Sequence, residues 1–168
     1  MADVLAGIEA EIPGLRRFAM FLCRDRDRAD DLVQECLARA LAKIDSWTPG
    51  TNLRAWLFTI LRNVHLNDVR REGRAPFVPD TSEAGTLGSA AASQEADVSL
   101  NELGRIFGGL SPEHRQILVL IAVEGFAYEE AAQICAIPIG TVRSRLSRAR
   151  ETLRQALQGT GMLPDSSE

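Results

Sequence analysis

The sequence predicts an all-α protein built as two small helical domains joined by a flexible linker. Apolar residues recur at steps of three and four in both halves of the chain, the spacing of one helix face. No stretch alternates with the period of two that a half-buried strand needs, and no hairpin signal interrupts the pattern. From Ala75 to Ala96 the helical periodicity stops altogether. With 168 residues, 45% of them hydrophobic, the chain suits one domain or two small ones, each with a modest core.

In chain order, the first helix is expected over about Val4 to Cys23, with Pro13 marking a break or new start near its front, because proline removes a donor and clashes with the preceding turn. The second runs from about Asp27 to Ile44, with Leu32, Val33, Cys36, Leu37, Ala40, Leu41 and Ile44 on one face. Pro49-Gly50 then imposes a turn, and Thr51 or Asn52 is placed to cap the helix that follows. Trp47, in the same polar loop, is either an anchor to the core or a stacking surface. The third helix spans about Leu53 to Arg71. Leu53, Trp56, Leu57, Ile60, Leu61 and Val64 form its apolar face, while Asn63, Asn67 and Arg70 follow at steps of four and three along its edge. Such a polar stripe suits either exposed base edges and phosphate or simply solvent.

The 22 residues from Ala75 to Ala96 carry two prolines, two glycines, three acids and no basic residue, the composition of a flexible acidic linker. It divides an N-terminal domain, residues 1–74, from a C-terminal domain, residues 97–158; residues 159–168 form a short tail. In the C-terminal domain, Gly125 to Arg150 reads as helix, tight turn and second helix. Ile139, Val142, Leu146, Ala149 and Leu153 line one side of that second helix and face Ala131, Ala132 and Ile134 of the first. Gly140, Ser144, Ser147 and Arg148 point the other way, with Thr141 and Arg143 on the flanks and Arg150 nearer the core side. This is the layout of a helix-turn-helix, whose second helix enters the DNA major groove. Hydroxyl and guanidinium groups there suit base edges and phosphates.

Charge supports the same partner. The net charge is −4, yet residues 139–154 carry Arg143, Arg145, Arg148, Arg150 and Arg154 against Glu151 alone. Residues 54–74 carry Arg54, Arg62, Arg70, Arg71 and Arg74 against Asp68 and Glu72. Two basic islands in an acidic chain fit two separate nucleic-acid contacts. Cys23, Cys36 and Cys135 show no paired spacing and lie far from His65 and His114, so no metal site, disulfide framework or cofactor is expected, and the thiols are read as buried small hydrophobes. The longest strongly apolar run, Ile117 to Val123, is too short to span a bilayer, and no signal-like segment opens the chain; a cytoplasmic protein without membrane insertion is expected. An enzyme is the weakest reading, since no phosphate-cradling glycine loop or nucleophile-base pair is evident.

Several segments taken in order carry a resemblance. Asp30-Asp31-Leu32-Val33-Gln34-Glu35-Cys36, Trp47, Asn52 to Asn63, Asp68-Val69-Arg70-Arg71, and Gly140 to Arg145 with Arg148-Ala149-Arg150 together resemble a bacterial sigma factor of the extracytoplasmic-function (ECF) type. The resemblance implies a sigma region 2-like domain in the N-terminal half and a region 4-like helix-turn-helix in the C-terminal half. It implies that Asp31, Gln34 and Glu35 dock on the clamp helices of the largest subunit of the RNA polymerase core. Trp47, Thr51 and Asn52 would belong to the loop that captures a flipped base of the −10 element, and Asn63, Asn67 and Arg70 would face the melted non-template strand. Thr141, Arg143, Ser144, Ser147 and Arg148 would read the −35 element as duplex. An anti-sigma protein is an implied partner.

Two residues depart from the pattern. Ala136 stands where the turn of the helix-turn-helix usually has glycine, and Ala127 stands where Ser or Asp often caps the first helix; each loss is worth roughly 1 kcal/mol. The linker must also span the job. Promoter elements about 17 base pairs apart lie ~58 Å from each other at about 3.4 Å per pair, whereas a flexible segment of this length averages only ~25 Å end to end. Fully extended it reaches about 73 Å, so the linker serves both sites only when held stretched. A stand-alone helix-turn-helix regulator leaves the basic island at residues 54–74 and the Gln34-Glu35 face unexplained. A sigma-like decoy for an anti-sigma protein would keep the fold and lose the DNA contacts.

Overall fold

The computed structural model describes residues 2–73 and 104–159; the expected linker and residues 160–168 of the tail lie outside them. Its elements are helices α1 (Ala2–Cys23), α2 (Arg26–Ala42), a 3-10 turn at Ile44–Ser46, α3 (Leu53–Glu72), a short helical stretch at 104–108 (α4), α5 (Pro112–Leu118), a π-helical turn at Val119–Val123, α6 (Tyr128–Cys135) and α7 (Ile139–Gly159). Among the described residues there is no strand.

Helix starts follow local chemistry. Asp25 accepts from the Arg28 N–H at 2.8 Å to open α2, Asn52 accepts from the Ala55 N–H at 3.0 Å to open α3, and Ser111 accepts from the His114 N–H at 3.3 Å ahead of Pro112. The expected break at Pro13 is absent, and α1 runs straight through it. Pro13 is exposed, so the carbonyl left without its amide partner one turn earlier faces water rather than the core. Helix α2 ends two residues earlier than expected, and Leu41, assigned to its apolar face, is 49% exposed.

Helices α1, α2 and α3 pack on one another around Leu15, Phe18, Leu32, Val33, Cys36, Leu57, Phe58, Leu61 and Val64. Helices α5, α6 and α7 do the same around Ile117, Leu120, Ile134, Val142 and Leu146. Each fully buried large side chain contributes about 1.5–3 kcal/mol of transfer free energy. The halves do not stand apart. Helix α3 packs on α6 and α1 on α5, and Phe58 bridges them, stacked on Phe18 at 5.3 Å and edge-on to Phe126 at 4.9 Å. Their apolar residues form one continuous core.

Candidate nucleic-acid interface

The turn between α6 and α7 is a Schellman-type stop. The Ile137 N–H bonds the Ala132 carbonyl at 3.1 Å and the Ala136 N–H the Gln133 carbonyl at 3.2 Å, with Ala136 left-handed at φ 52° and ψ 46°. An alanine therefore sits where a Cβ is unfavourable, and the turn runs strained. At the start of α6, Ala127 has no side-chain acceptor to offer, but the Glu130 carboxylate reaches back to the Ala127 N–H at 2.8 Å and supplies half of a capping box.

This turn sets α7 with Val142, Leu146 and Ala149 buried and with Gly140, Arg143, Ser144, Ser147 and Arg148 exposed. Thr141 is half-buried, and its carbonyl accepts from the Ser144 hydroxyl at 3.1 Å. Arg150 is exposed, not on the core side as expected: with Tyr128, Arg143, Ser147 and Arg154 it lines a shallow groove along α7. Arg154 is held by Glu151 at 2.8 and 3.1 Å, which takes it out of the free basic surface. The remaining guanidinium and hydroxyl groups form a cationic, hydrogen-bonding face suited to duplex DNA.

On α3 the predicted stripe is intact: Asn63, Asn67 and Arg70 are all exposed, one turn apart, while Leu57, Leu61 and Val64 face inward. The loop ahead of α3 is tied by its own side chains, with the Thr51 hydroxyl donating to the Thr48 carbonyl at 2.7 Å and Gly50 turning the chain at φ 88°. Trp47 is half-buried, and its indole N–H, shielded from solvent, meets no acceptor among the described residues. Asn52 spends its oxygen on the helix cap and its amide on Glu130, 2.5 Å away in the other half of the chain.

Asp31, Gln34 and Glu35 lie exposed on α2, away from Leu32, Val33 and Cys36, which the core covers. The Glu35 carboxylate accepts from Arg39 at 2.6 Å, and Arg28 bonds Glu72 at 2.6 Å across to α3. Together with Asp68 and Arg71 these groups make a mixed-charge groove between α2 and α3.

Sequence reasoning missed the charged cluster that joins the halves. Glu124 follows the π-helical turn, its N–H bonded to the Val119 carbonyl at 2.9 Å, and its side chain is completely buried. Arg17 of α1 bonds both of its oxygens, at 2.9 and 3.0 Å; Arg54 of α3 bonds one oxygen at 2.8 Å and the Glu124 carbonyl at 2.7 Å. Hydrogen bonding to Glu124 raises the Arg17 pKa. Arg54 also pairs with Glu11 at 3.0 Å and lies 4.5 Å over the Phe126 ring. No local pattern announces such a cluster, since the partners are 107 and 70 residues apart.

The cysteines are inert. Cys36 and Cys135 are buried, and burial pushes their thiols up to about 12 and about 11; half-buried Cys23, beside His65 at 4.0 Å, is pushed up to about 11 by the same cause. Among the described residues no group of His, Cys, Asp or Glu has the makings of a metal site, and no helix is long and apolar enough to cross a membrane.

Comparison with known proteins covers both halves. Residues 8–62 match the family model described as the Sigma2 domain of PhyR, and residues 100–153 match Sigma-70, region 4. The ECF RNA polymerase sigma factor EcfG of Rhodopseudomonas palustris is 47% identical over 92% of this chain and 84% of its own length. The ECF sigma factor SigW of Bacillus subtilis is 31% identical over 77% of this chain and 75% of its own. Among solved structures, the sigma factor RpoE of Bartonella quintana, in complex with the anti-sigma factor NepR, is similar at a TM-score of 0.80 and 37% identity, covering 94% of this chain and 98% of that one.

Proposed function

The chain belongs to the ECF family of RNA polymerase sigma factors, and from that premise we propose that it binds core polymerase and directs initiation at promoters by reading a −10 and a −35 element. The observation that carries this reading is the presence of two separate exposed polar faces on one chain. One is the exposed face of α7, with Arg143, Ser144, Ser147 and Arg148 and with Thr141 at its rim; the other is the exposed Asn63, Asn67 and Arg70 stripe of α3, next to the Trp47 to Asn52 loop. A stand-alone regulator needs only the first.

The division of labour follows from chemistry. Arginine forks and hydroxyls on a helix suit the major-groove edges of paired bases, so α7 takes the −35 duplex. Asparagine amides and a half-buried indole suit bases already out of the stack, so α3 and its loop take the melted non-template strand at −10. Asp31, Gln34 and Glu35 are exposed on α2, where Asp31 and Glu35 line the mixed-charge groove against α3, and offer carboxylate and amide groups to the clamp helices of the polymerase core. Residues 1–74 and 97–158 are the two working domains, with residues 75–96 between them.

An anti-sigma protein is a further partner in this reading. Support comes from the Bartonella quintana sigma factor RpoE, which is similar to this chain across both halves and whose structure is of a complex with the anti-sigma factor NepR. The protein acts in the cytoplasm as an initiation factor, without chemistry of its own. Purified core polymerase presented with a pool of promoter fragments should give run-off transcripts with this chain that core alone does not give. Sequence-specific DNA binding that needs no core would favour a stand-alone regulator, and neither activity would favour a decoy.

A further inference from the structure

We infer that Glu124 is a latch that holds the two halves in a closed state unable to engage both promoter elements at once. This rests on the promoter reading above. Among the described residues, every side-chain partner of the Glu124 carboxylate, Arg17 on α1 and Arg54 on α3, belongs to the other half of the chain. The carboxylate is completely buried, whereas Arg17 is 53% and Arg54 31% exposed, so the latch is a buried anion gripped by two cations at the edge of solvent.

Reach excludes promoter engagement from this state. Asn52 is hydrogen-bonded to Glu130, and only ten residues, mostly helical, lie between Glu130 and Thr141. At 1.5 Å per helical residue and at most ~3.6 Å per turn residue, the tip of α7 lies no more than about 35 Å from Asn52. Elements about 17 base pairs apart need ~58 Å. Moreover, the Asn52 amide, part of the loop assigned to the −10 element, is occupied by Glu130.

The chemistry of the contact suits a reversible closure. A purely apolar seam gains from every buried contact and gives nothing back on parting. Here the seam combines the Phe58–Phe126 contact with an ion cluster, whose desolvation penalty offsets much of its Coulomb attraction and is returned when the charges regain water. The local fold is specialised for the placement. The i to i−5 turn at Val119–Val123 ends on Glu124, and Gly125 at φ 73° then bends the chain so that Phe126 meets Phe58. π-turns of this kind recur at functional positions. Gly14, beneath the cluster, leaves room for it, since a Cβ there would come within 3.1 Å of Glu124 Oε2.

The test is small-angle scattering of the full chain, paired with titration of core polymerase, for wild type, Glu124→Gln and Arg17→Ala. A compact chain of this length has a radius of gyration of ~15 Å, and two separated halves exceed ~20 Å once their centres stand ~40 Å apart. Wild type should scatter near the lower value, both variants should move toward the higher, and their apparent Kd for core should fall at least about threefold, because affinity scales with the competent fraction. Circular dichroism checks folding; if Glu124→Gln loses helicity, Arg17→Ala decides, since its side chain is largely at the surface. Unchanged scattering in a folded variant overturns the latch. Opening without a gain in core binding overturns its inhibitory role. If core plus wild type yields no promoter-specific transcript, the sigma-factor reading fails, while the scattering still decides whether Glu124 joins the halves.

Discussion

Asn52 and Glu130 join the caps of two helices that lie in opposite halves of the chain. Asn52 caps α3 with its oxygen and donates its amide to Glu130, whose other oxygen accepts from the N–H of Ala127, the residue ahead of α6. One hydrogen bond thus links the start of α3 to the start of α6. Replacing Asn52 by Ala removes both roles and should lower stability by about 1 kcal/mol. Asn52→Asp keeps an oxygen for the cap but sets a carboxylate against Glu130, so its melting temperature should rise with added salt more steeply than that of wild type. Thermal melts at low and high salt measure this. Equal salt dependence would mean that the two residues do not meet in solution.

A second expectation concerns melting of DNA. Asn63 and Asn67 are exposed and hold no part of the core, so Asn63→Ala and Asn67→Ala should leave stability within about 0.5 kcal/mol of wild type. Both should reduce open-complex formation on duplex promoters and recover in part on templates mismatched across the −10 region, where the unpairing cost is already met. Equal defects on the two templates would assign these residues to general binding instead.

On α7, Arg148 and Arg150 should differ in their effect. Arg148→Ala should cost ~1–3 kcal/mol in promoter binding and relax the preference at one or two positions of the −35 element. Arg150, exposed in the groove beside Tyr128 and Arg143, should act through phosphate: Arg150→Ala should weaken matched and scrambled elements about equally and make the salt slope shallower. Holoenzyme binding at two salt concentrations distinguishes the two outcomes.

The strained turn offers a stability test. Ala136 is left-handed, so Ala136→Gly should stabilise the chain by about 0.5–1 kcal/mol, the relief of the Cβ clash less the added freedom of the unfolded chain. For a chain of this size that is a rise in Tm of roughly 1–4 °C. A fall in Tm would show that the turn relaxes to a different φ in solution.

What the sequence made legible is the part whose physics is local. Asn52 as a cap, the Pro49-Gly50 turn, the buried face of α7 and the exposed Asn63, Asn67 and Arg70 stripe all follow from spacing and short-range chemistry. Pro13 misled because the cost of a proline in a helix depends on where the orphaned carbonyl points, and here that is solvent. Arg150 misled because it neighbours buried Ala149 in sequence yet is exposed, lining the groove beside Tyr128 and Arg143. The π-turn, the Glu124 cluster and the meeting of Phe58 with Phe126 have no local signature: they come from contacts between residues tens of positions apart. The −10 and −35 assignments rested on the ordered resemblance, since an asparagine stripe is by itself only a polar surface.

The central claim, that this chain confers promoter recognition on core polymerase through two separate readers, is tested most directly by run-off transcription from one selected promoter with each element scrambled in turn. A single transcript that requires the chain, and that is lost when either the −10 or the −35 element is scrambled, is the expected result. Transcription indifferent to both elements, or specific DNA binding with no chain-dependent transcript, would contradict it.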